Sequence, residues 1–176
     1  MDLKEFIIAS LTESREYVDR AVAGLTIDEL AFRPERHSNS IIFLVWHLAR
    51  VEDIWINRVL KDSEELYTTE KWYGKFGTAP QDMGFGFDAD KLDEWPVPSL
   101  KLAKEYANAV RRTTLSYLED LDLGKLDVKM PYREQGITVG GALAHLVTEI
   151  GEHSGQIGYL RGLQRGIEQV PHAGQR

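Results

Sequence analysis

Apolar residues recur at spacings of three, four and seven along four stretches of this chain, and polar residues occupy the positions between them. This spacing matches the 3.6-residue period of an α-helix that turns one face toward a core. It predicts long helices at about residues 3–25, 41–60, 99–120 and 138–164. Because no clear alternating strand pattern lies between them, we expect an all-α protein, a four-helix bundle that forms one domain over residues 1–176.

The connection between the second and third predicted helices, Asp62 to Pro98, is long and rich in aromatic residues. A structureless loop of that length is uncommon in a compact domain, and its aromatic side chains would be costly to leave in water. We therefore expect a packed crossover that is mostly non-helical in its middle and carries short helical turns. Its Trp72, together with Phe85 or Phe87, should cover one end of the bundle.

Composition and charge narrow the classes of function. A formal net charge of −7 and a pI near 5.3 oppose a large basic face, so neither nucleic acid nor an anionic membrane is an expected partner. The chain has no cysteine, which excludes thiolate ligands and thiol nucleophiles supplied by the protein. Its beginning lacks a basic segment before an apolar run, and no stretch approaches the roughly 20 apolar residues that cross a bilayer. These features predict a cytoplasmic protein.

Three side chains indicate a metal site: His47 on the second predicted helix, with Glu149 and His153 four residues apart on the fourth. Residues at i and i+4 lie on one helix face, about 6 Å apart along the axis, so this pair can share an ion if a third ligand faces it. Two imidazoles and one carboxylate leave coordination positions open, as in a catalytic site. The alternative for His47 alone is a core histidine that is hydrogen-bonded to a neighbour, which is the commoner case.

A second histidine on the fourth helix leaves the register of the site open. His145, Glu149 and His153 form a row with four-residue spacing. His145 and His153 are about 12 Å apart along the helix, so both cannot bind one ion without distortion. On spacing alone, either histidine can accompany Glu149. Near His47, Arg50 is either a binder of a substrate carboxylate or, more commonly for an arginine beside two acidic residues, part of a surface ion pair.

Two blocks of the chain, NSIIFLVWHLARVEDIWINRVL and ITVGGALAHLVTEIGEHSGQIGYLRG, resemble the DinB superfamily of helical-bundle metalloenzymes. The resemblance implies an up-down-down-up bundle in which a histidine of the second helix and an H/E/D-x-x-x-H pair of the fourth hold a divalent metal. Carried onto this sequence, the ligands are His47, Glu149 and His153. Most members have histidine at the position of Glu149. In having a carboxylate there, this chain resembles the branch of the family that contains mycothiol-dependent maleylpyruvate isomerase. The donor set suits zinc or nickel, with manganese and iron as alternatives.

The resemblance also implies a function, since characterised relatives include transferases and an isomerase that use a low-molecular-weight thiol. The expected activity is a metal-dependent transferase or isomerase reaction on a small-molecule substrate. His145 is the candidate catalytic residue, because it lies about one turn from Glu149 and can orient it or exchange protons. The alternatives are a hydrolase that uses metal-activated water and a stress-associated bundle that holds a metal or an apolar ligand without turnover. The assembly is left open, with a homodimer as one option.

Overall fold

The computed structural model describes residues 1–172, which are mostly helical, as the apolar spacing predicted. Four helices in this range are long, and shorter ones lie in the connections between them. The helices are α1 (Leu3–Val22), α2 (Ile27–Ala31), α3 (Ile41–Asp53), α4 (Leu66–Thr69), α5 (Trp72–Phe76), α6 (Ala89–Glu94), α7 (Leu100–Asp120) and α8 (Val139–Arg165). None of those within residues 1–172 combines the length and apolar content needed to cross a membrane.

The long helices begin where side chains can satisfy free backbone amides. Each one follows a residue whose side-chain oxygen accepts a hydrogen bond from an amide in the first turn, which favours initiation at that point. These capping residues are Asp2, Ser40, Ser99 and Thr138. A short antiparallel hairpin, β1 (Lys129–Met130) with β2 (Ile137–Thr138), leads into α8. The apolar spacing did not predict this hairpin, because two-residue strands are too short to show alternation.

The most deeply buried element is α3, in which every residue is buried. It continues as a π-helix over Ile54–Leu60, so the predicted second helix is continuous but changes its winding. Four polar side chains enter the core on α3, namely His47, Arg50, Glu52 and Asp53. Each of them needs a partner there, because an unpaired polar or charged group is costly to bury.

The long helices pack around one core, in which α3 contacts both α7 and α8 and α1 also contacts α7 and α8. His47 of α3 lies against His153 of α8, and Trp55, further along the chain, lies against His145. Residue numbers thus rise along one element while they fall along the other. The second predicted helix and α8 therefore run in opposite directions.

The long connection packs against the core and contains the short helices α4, α5 and α6, while its middle is non-helical. Trp72 is buried, and Phe87 is partly buried against the core. Of the two alternatives, Phe87 is therefore the one that packs, whereas the side chain of Phe85 is 76% exposed. Phe85 lies at a turn between Gly84 and Gly86, both with positive φ, and a side chain at the tip of such a turn projects into solvent.

Candidate metal centre

The side chains of His47, Glu149 and His153 converge between α3 and α8. One potential ligand atom from each lies within 4.8 Å of the others. His47 is only 7% exposed, whereas the side chains of Glu149 and His153 are 24% and 17% exposed. The cluster is therefore closed on the α3 side and reachable by solvent on the α8 side.

Each histidine in this cluster uses one ring nitrogen for a hydrogen bond and keeps the other for a ligand. Nδ1 of His47 lies 2.7 Å from the carbonyl oxygen of Met83, and Nδ1 of His153 lies 2.9 Å from Oε1 of Gln156. Since both partners accept, each Nδ1 carries the hydrogen and the lone pair of the neutral ring is on Nε2. Nε2 of His153 is 3.6 Å from Oε1 of Glu149.

The electrostatic surroundings keep His47 in the form that binds metals. Burial lowers the pKa of His47 below its ordinary value, and the nearby His153 acts in the same direction. The hydrogen bond with Met83 and the charge of Glu149 oppose that shift without reversing it. The imidazole of His47 is therefore neutral at physiological pH, with a lone pair available to a cation.

The donor set fits a divalent metal ion. Zinc, nickel, manganese and iron(II) all accept two imidazole nitrogens and one carboxylate oxygen. With metal–ligand distances of about 2.1 Å, the ligand atoms of a tetrahedral site are about 3.4 Å apart. Separations of up to 4.8 Å between these ligand atoms would therefore have to shorten by up to about 1.4 Å. Rotation of Glu149 and His153, which are only partly packed, can provide that contraction.

His145 lies beside the cluster and contacts Glu149 from the other side. Nε2 of His145 is 3.0 Å from Oε2 of Glu149, and its ring packs on Trp55 with centroids 4.7 Å apart. The side chain of His145 is 49% exposed. Glu149 is thus held between two histidines, with Oε1 toward His153 and Oε2 toward His145. This arrangement lets His145 orient the carboxylate while remaining in contact with solvent.

Comparison with known proteins identifies the family. The model of the DinB superfamily matches residues 10–157, which is most of the chain. The chain belongs to the DinB superfamily. It is similar to a crystal structure of the conserved protein of a locus from Enterococcus faecalis, with a TM-score of 0.83, 24% identity and coverage of 93% of this chain and 97% of that chain. At that identity the likeness establishes a shared fold only, and no curated protein gave a significant match.

Sequence reasoning missed two groups that hold the imidazoles of this DinB superfamily protein. Gln156 follows His153 by three residues, and this spacing places both on one helix face, so the pattern contained a usable signal. Met83 contributes a backbone carbonyl, which every residue possesses, so no residue type could indicate it. Gly84 and Gly86, which follow Met83, have positive φ and form a turn, but their residue type does not indicate which side chain the turn approaches.

The surface ion pair predicted for Arg50 is wrong, because this side chain is only 1% exposed. Its guanidinium donates to the backbone carbonyl of Asp82 and to the carboxylate of Glu65. The hydroxyl of Tyr106 accepts a third hydrogen bond from it. These acceptors occupy the group, so it is not placed to bind a substrate carboxylate. The acidic neighbours of Arg50 misled the prediction because α3 is buried on every side.

A small, partly open cavity lies on the opposite face of α3, away from the metal ligands proposed for this family member. Its volume of about 30 Å³ is sufficient for one or two water molecules. Glu52 forms part of the lining and is paired with Arg111 through a contact of 2.7 Å. This cavity is too small for an organic substrate.

Proposed function

We propose that this protein is a metal-dependent enzyme in which His47, Glu149 and His153 hold one divalent ion. The observation that carries the proposal is the convergence of these side chains within 4.8 Å, with both imidazoles held through Nδ1. Three protein ligands leave open positions for a reactant, as catalytic sites require. Zinc or nickel is the proposed ion because imidazole ligands suit both, and manganese and iron are the alternatives.

The proposed reaction is a transfer or isomerisation that uses a low-molecular-weight thiol and a small electrophilic substrate. The sequence contains no cysteine, so a thiol has to come from a small molecule. When bound, a divalent ion would supply a lowered thiol pKa and so favour the thiolate at neutral pH. Met83 and Gln156 contribute by fixing the orientation of the two imidazoles, which keeps both Nε2 atoms available.

His145 is the proposed catalytic residue of this reaction. It contacts Glu149 at 3.0 Å and is about half exposed, so it can accept a proton on the solvent side of the site and pass it to water. Packing against Trp55 limits the rotation of its ring. The same contact with Glu149 supports a second contribution, the orientation of the ligating carboxylate.

The arrangement of the long helices belongs to the same proposal, and we propose the up-down-down-up four-helix bundle. The opposite directions of α3 and α8 support it. Arg161 near the end of α8 donates to the carbonyls of Ala21 and Ala23 at the end of α1, which indicates that these two helices finish on the same side. A cytoplasmic location, a homodimer and the absence of nucleic acid and membrane partners complete the proposal, and the net charge of −7 supports its last part.

Metal content tests the first half of this proposal. Protein purified without an affinity tag should contain close to one equivalent of a divalent metal by elemental analysis. Metal-stripped protein should rebind zinc or nickel, and its melting temperature should rise with metal concentration. Failure of zinc, nickel, manganese and iron(II) to bind the stripped protein would overturn the proposal.

Thiol binding tests the second half. Cobalt(II)-loaded protein should develop a near-ultraviolet charge-transfer band when glutathione or cysteine is added, because a thiolate would enter an open coordination position. The band should be absent with serine, which replaces the sulfur by oxygen. Metal binding without a response to either thiol would contradict the thiol-dependent reaction. Hydrolysis of a test ester by the zinc-loaded protein would then favour metal-activated water as the nucleophile.

A further inference from the structure

A short segment of the long connection, residues 82–84, lies directly on His47. The carbonyl of Met83 accepts the hydrogen bond from Nδ1 of His47. Gly84 has a φ of 85°, and a Cβ placed there would lie 2.6 Å from Nδ1 of His47. The segment therefore fits against the imidazole so closely that the residue after Met83 can have no side chain.

The same segment is attached to α3 a second time, one turn beyond His47. Nε of Arg50 donates to the carbonyl of Asp82 over 2.9 Å, so two neighbouring carbonyls are bound by two residues of one helix face. Arg50 is itself fixed. Its terminal nitrogens donate to Tyr106 and to Glu65, and its guanidinium lies 3.9 Å from the ring centroid of Tyr67.

We propose that Arg50 is a positioning residue for the candidate metal centre and acts through the Asp82–Met83 backbone. By holding the carbonyl of Asp82, it keeps the next carbonyl against Nδ1 of His47. That contact selects the tautomer with Nε2 free and directs Nε2 toward Glu149 and His153. The part of this inference that concerns metal affinity rests on the proposed function, whereas the tautomer of His47 does not.

The first pair of variants separates the positioning role from the general effect of disturbing a buried arginine. In Arg50→Lys, the ammonium group keeps the charge but cannot reproduce the planar set of donors to Asp82, Glu65 and Tyr106. Arg111→Lys is the matched control, because Arg111 also pairs with a buried carboxylate of α3 but does so on the opposite face. Both variants should lose stability, and only the first should disturb His47.

The second pair acts on the segment and remains informative if Arg50→Lys does not fold. Gly84→Ala places a methyl group against His47 and also strains a positive-φ residue. Gly86→Ala carries the same kind of strain, with a φ of 73°, but its Cβ meets nothing within 4 Å. A difference between the two therefore measures the displacement of His47 rather than the backbone strain.

Two measurements follow each variant. Long-range ¹H–¹⁵N NMR spectra of the metal-free protein report which nitrogen of His47 carries the hydrogen, and a competition titration with a chromophoric chelator gives the zinc affinity. Wild type and both controls should show the Nδ1–H form. Arg50→Lys and Gly84→Ala should show a mixture of tautomers and should bind zinc about 10- to 100-fold more weakly.

Distinct results overturn the two proposals. If Arg50→Lys and Gly84→Ala retain the Nδ1–H form and the zinc affinity of wild type, Arg50 does not position His47. An equal loss of affinity in Arg111→Lys would also reject the inference, since the effect would then reflect stability. If wild type binds no zinc or other divalent metal, the proposed function fails. The NMR spectra would in that case still decide whether Arg50 fixes the tautomer of His47.

Discussion

Two polar clusters lie one turn apart on α3, and they differ in how their charges are balanced. The first is the buried network around Arg50 and Asp53, in which other groups of the protein supply the hydrogen-bond and ion-pair partners. The second is the cluster of His47, Glu149 and His153, in which a carboxylate faces two imidazole rings. Both are partly or fully withdrawn from water, so burial alone does not distinguish a structural cluster from a functional one.

In the first cluster, each charge has partners of opposite charge or hydrogen-bond donors. Asp53 is fully buried, accepts hydrogen bonds from the amides of Leu66 and Tyr67, and lies 3.5 Å from Arg50. It also accepts a bond from Tyr106, whose pKa is raised well above its ordinary value by burial, so that the hydroxyl keeps its hydrogen. A network satisfied in this way has no vacancy for a ligand and serves the fold.

The second cluster lacks such a balance within the described part of the chain. Among residues 1–172, the ion-pair partners of Glu149 are His145 and His153. No lysine or arginine in that range pairs with it. Nδ1 of each imidazole is already in a hydrogen bond, and one potential ligand atom of each ring and of the carboxylate lies within 4.8 Å of the others. These three side chains could hold a metal ion, whereas the network around Arg50 and Asp53 is completed by groups of the protein itself.

The largest expected effect comes from breaking the balanced cluster. Asp53→Ala removes the acceptor of two amides, a tyrosine and an arginine, and leaves Arg50 with less compensation for its burial. We expect the free energy of unfolding of the metal-free protein to fall by about 3–5 kcal/mol, measured by urea denaturation. Asp127→Ala, at an exposed position, should change it by less than about 0.5 kcal/mol. Similar values for the two variants would show that the Asp53 network does not stabilise the fold.

Glu149→Gln should act on the other cluster in the opposite way, with a large loss of zinc affinity and little change in stability. The amide keeps the shape of the side chain but removes its charge, so zinc affinity should fall more than about 100-fold. The stability of the metal-free protein should change little, because Glu149 is not paired with a buried cation. Glu152→Gln is the control, being the same change at an exposed position of α8. Calorimetric titration of both variants checks this, and equal affinities would exclude Glu149 as a ligand.

His145→Ala should have a smaller effect on the metal. If His145 only orients Glu149, zinc affinity should fall by about 10- to 100-fold at most, less than in Glu149→Gln. Comparison of the metal-induced rise in melting temperature in the two variants gives the order of the effects. A loss equal to or larger than that of Glu149→Gln would indicate that His145, rather than His153, is the second ligand on α8.

Gln156→Ala should have the smallest effect. Gln156 holds Nδ1 of His153 near the surface, where water can replace the amide oxygen, so we expect the zinc affinity to fall less than about 10-fold. Gln135→Ala, at an exposed position of the loop between β1 and β2, is a control for general surface changes. A loss larger than that of His145→Ala would show that orientation of His153 matters more than that of Glu149.

Local periodicity was enough to predict the long helices, because apolar spacing and capping side chains act within a few turns of the chain. The same holds for the common face of Glu149 and His153, which four-residue spacing fixes in any α-helix. Spacing could not separate His145 from His153, since both lie four residues from Glu149. The packing of α3 and its π-helical continuation on α8 separates their positions. It places the ring centroid of His153 5.0 Å from that of His47, and it places the ring of His145 on Trp55.

The tertiary structure alone decided the surroundings of His47 and Arg50. Their side chains are hydrogen-bonded to backbone carbonyls 36 and 32 residues away in the sequence. Every residue has a backbone carbonyl, so residue type cannot predict such a partner. The burial of Arg50 likewise depends on elements that cover α3 from every side, which neighbouring residues in the sequence do not reveal. The sequence by itself therefore determined which side chains share a helix face, because helical geometry is local. Which ring nitrogen is free and which charge is buried were decided by contacts between segments far apart in the chain.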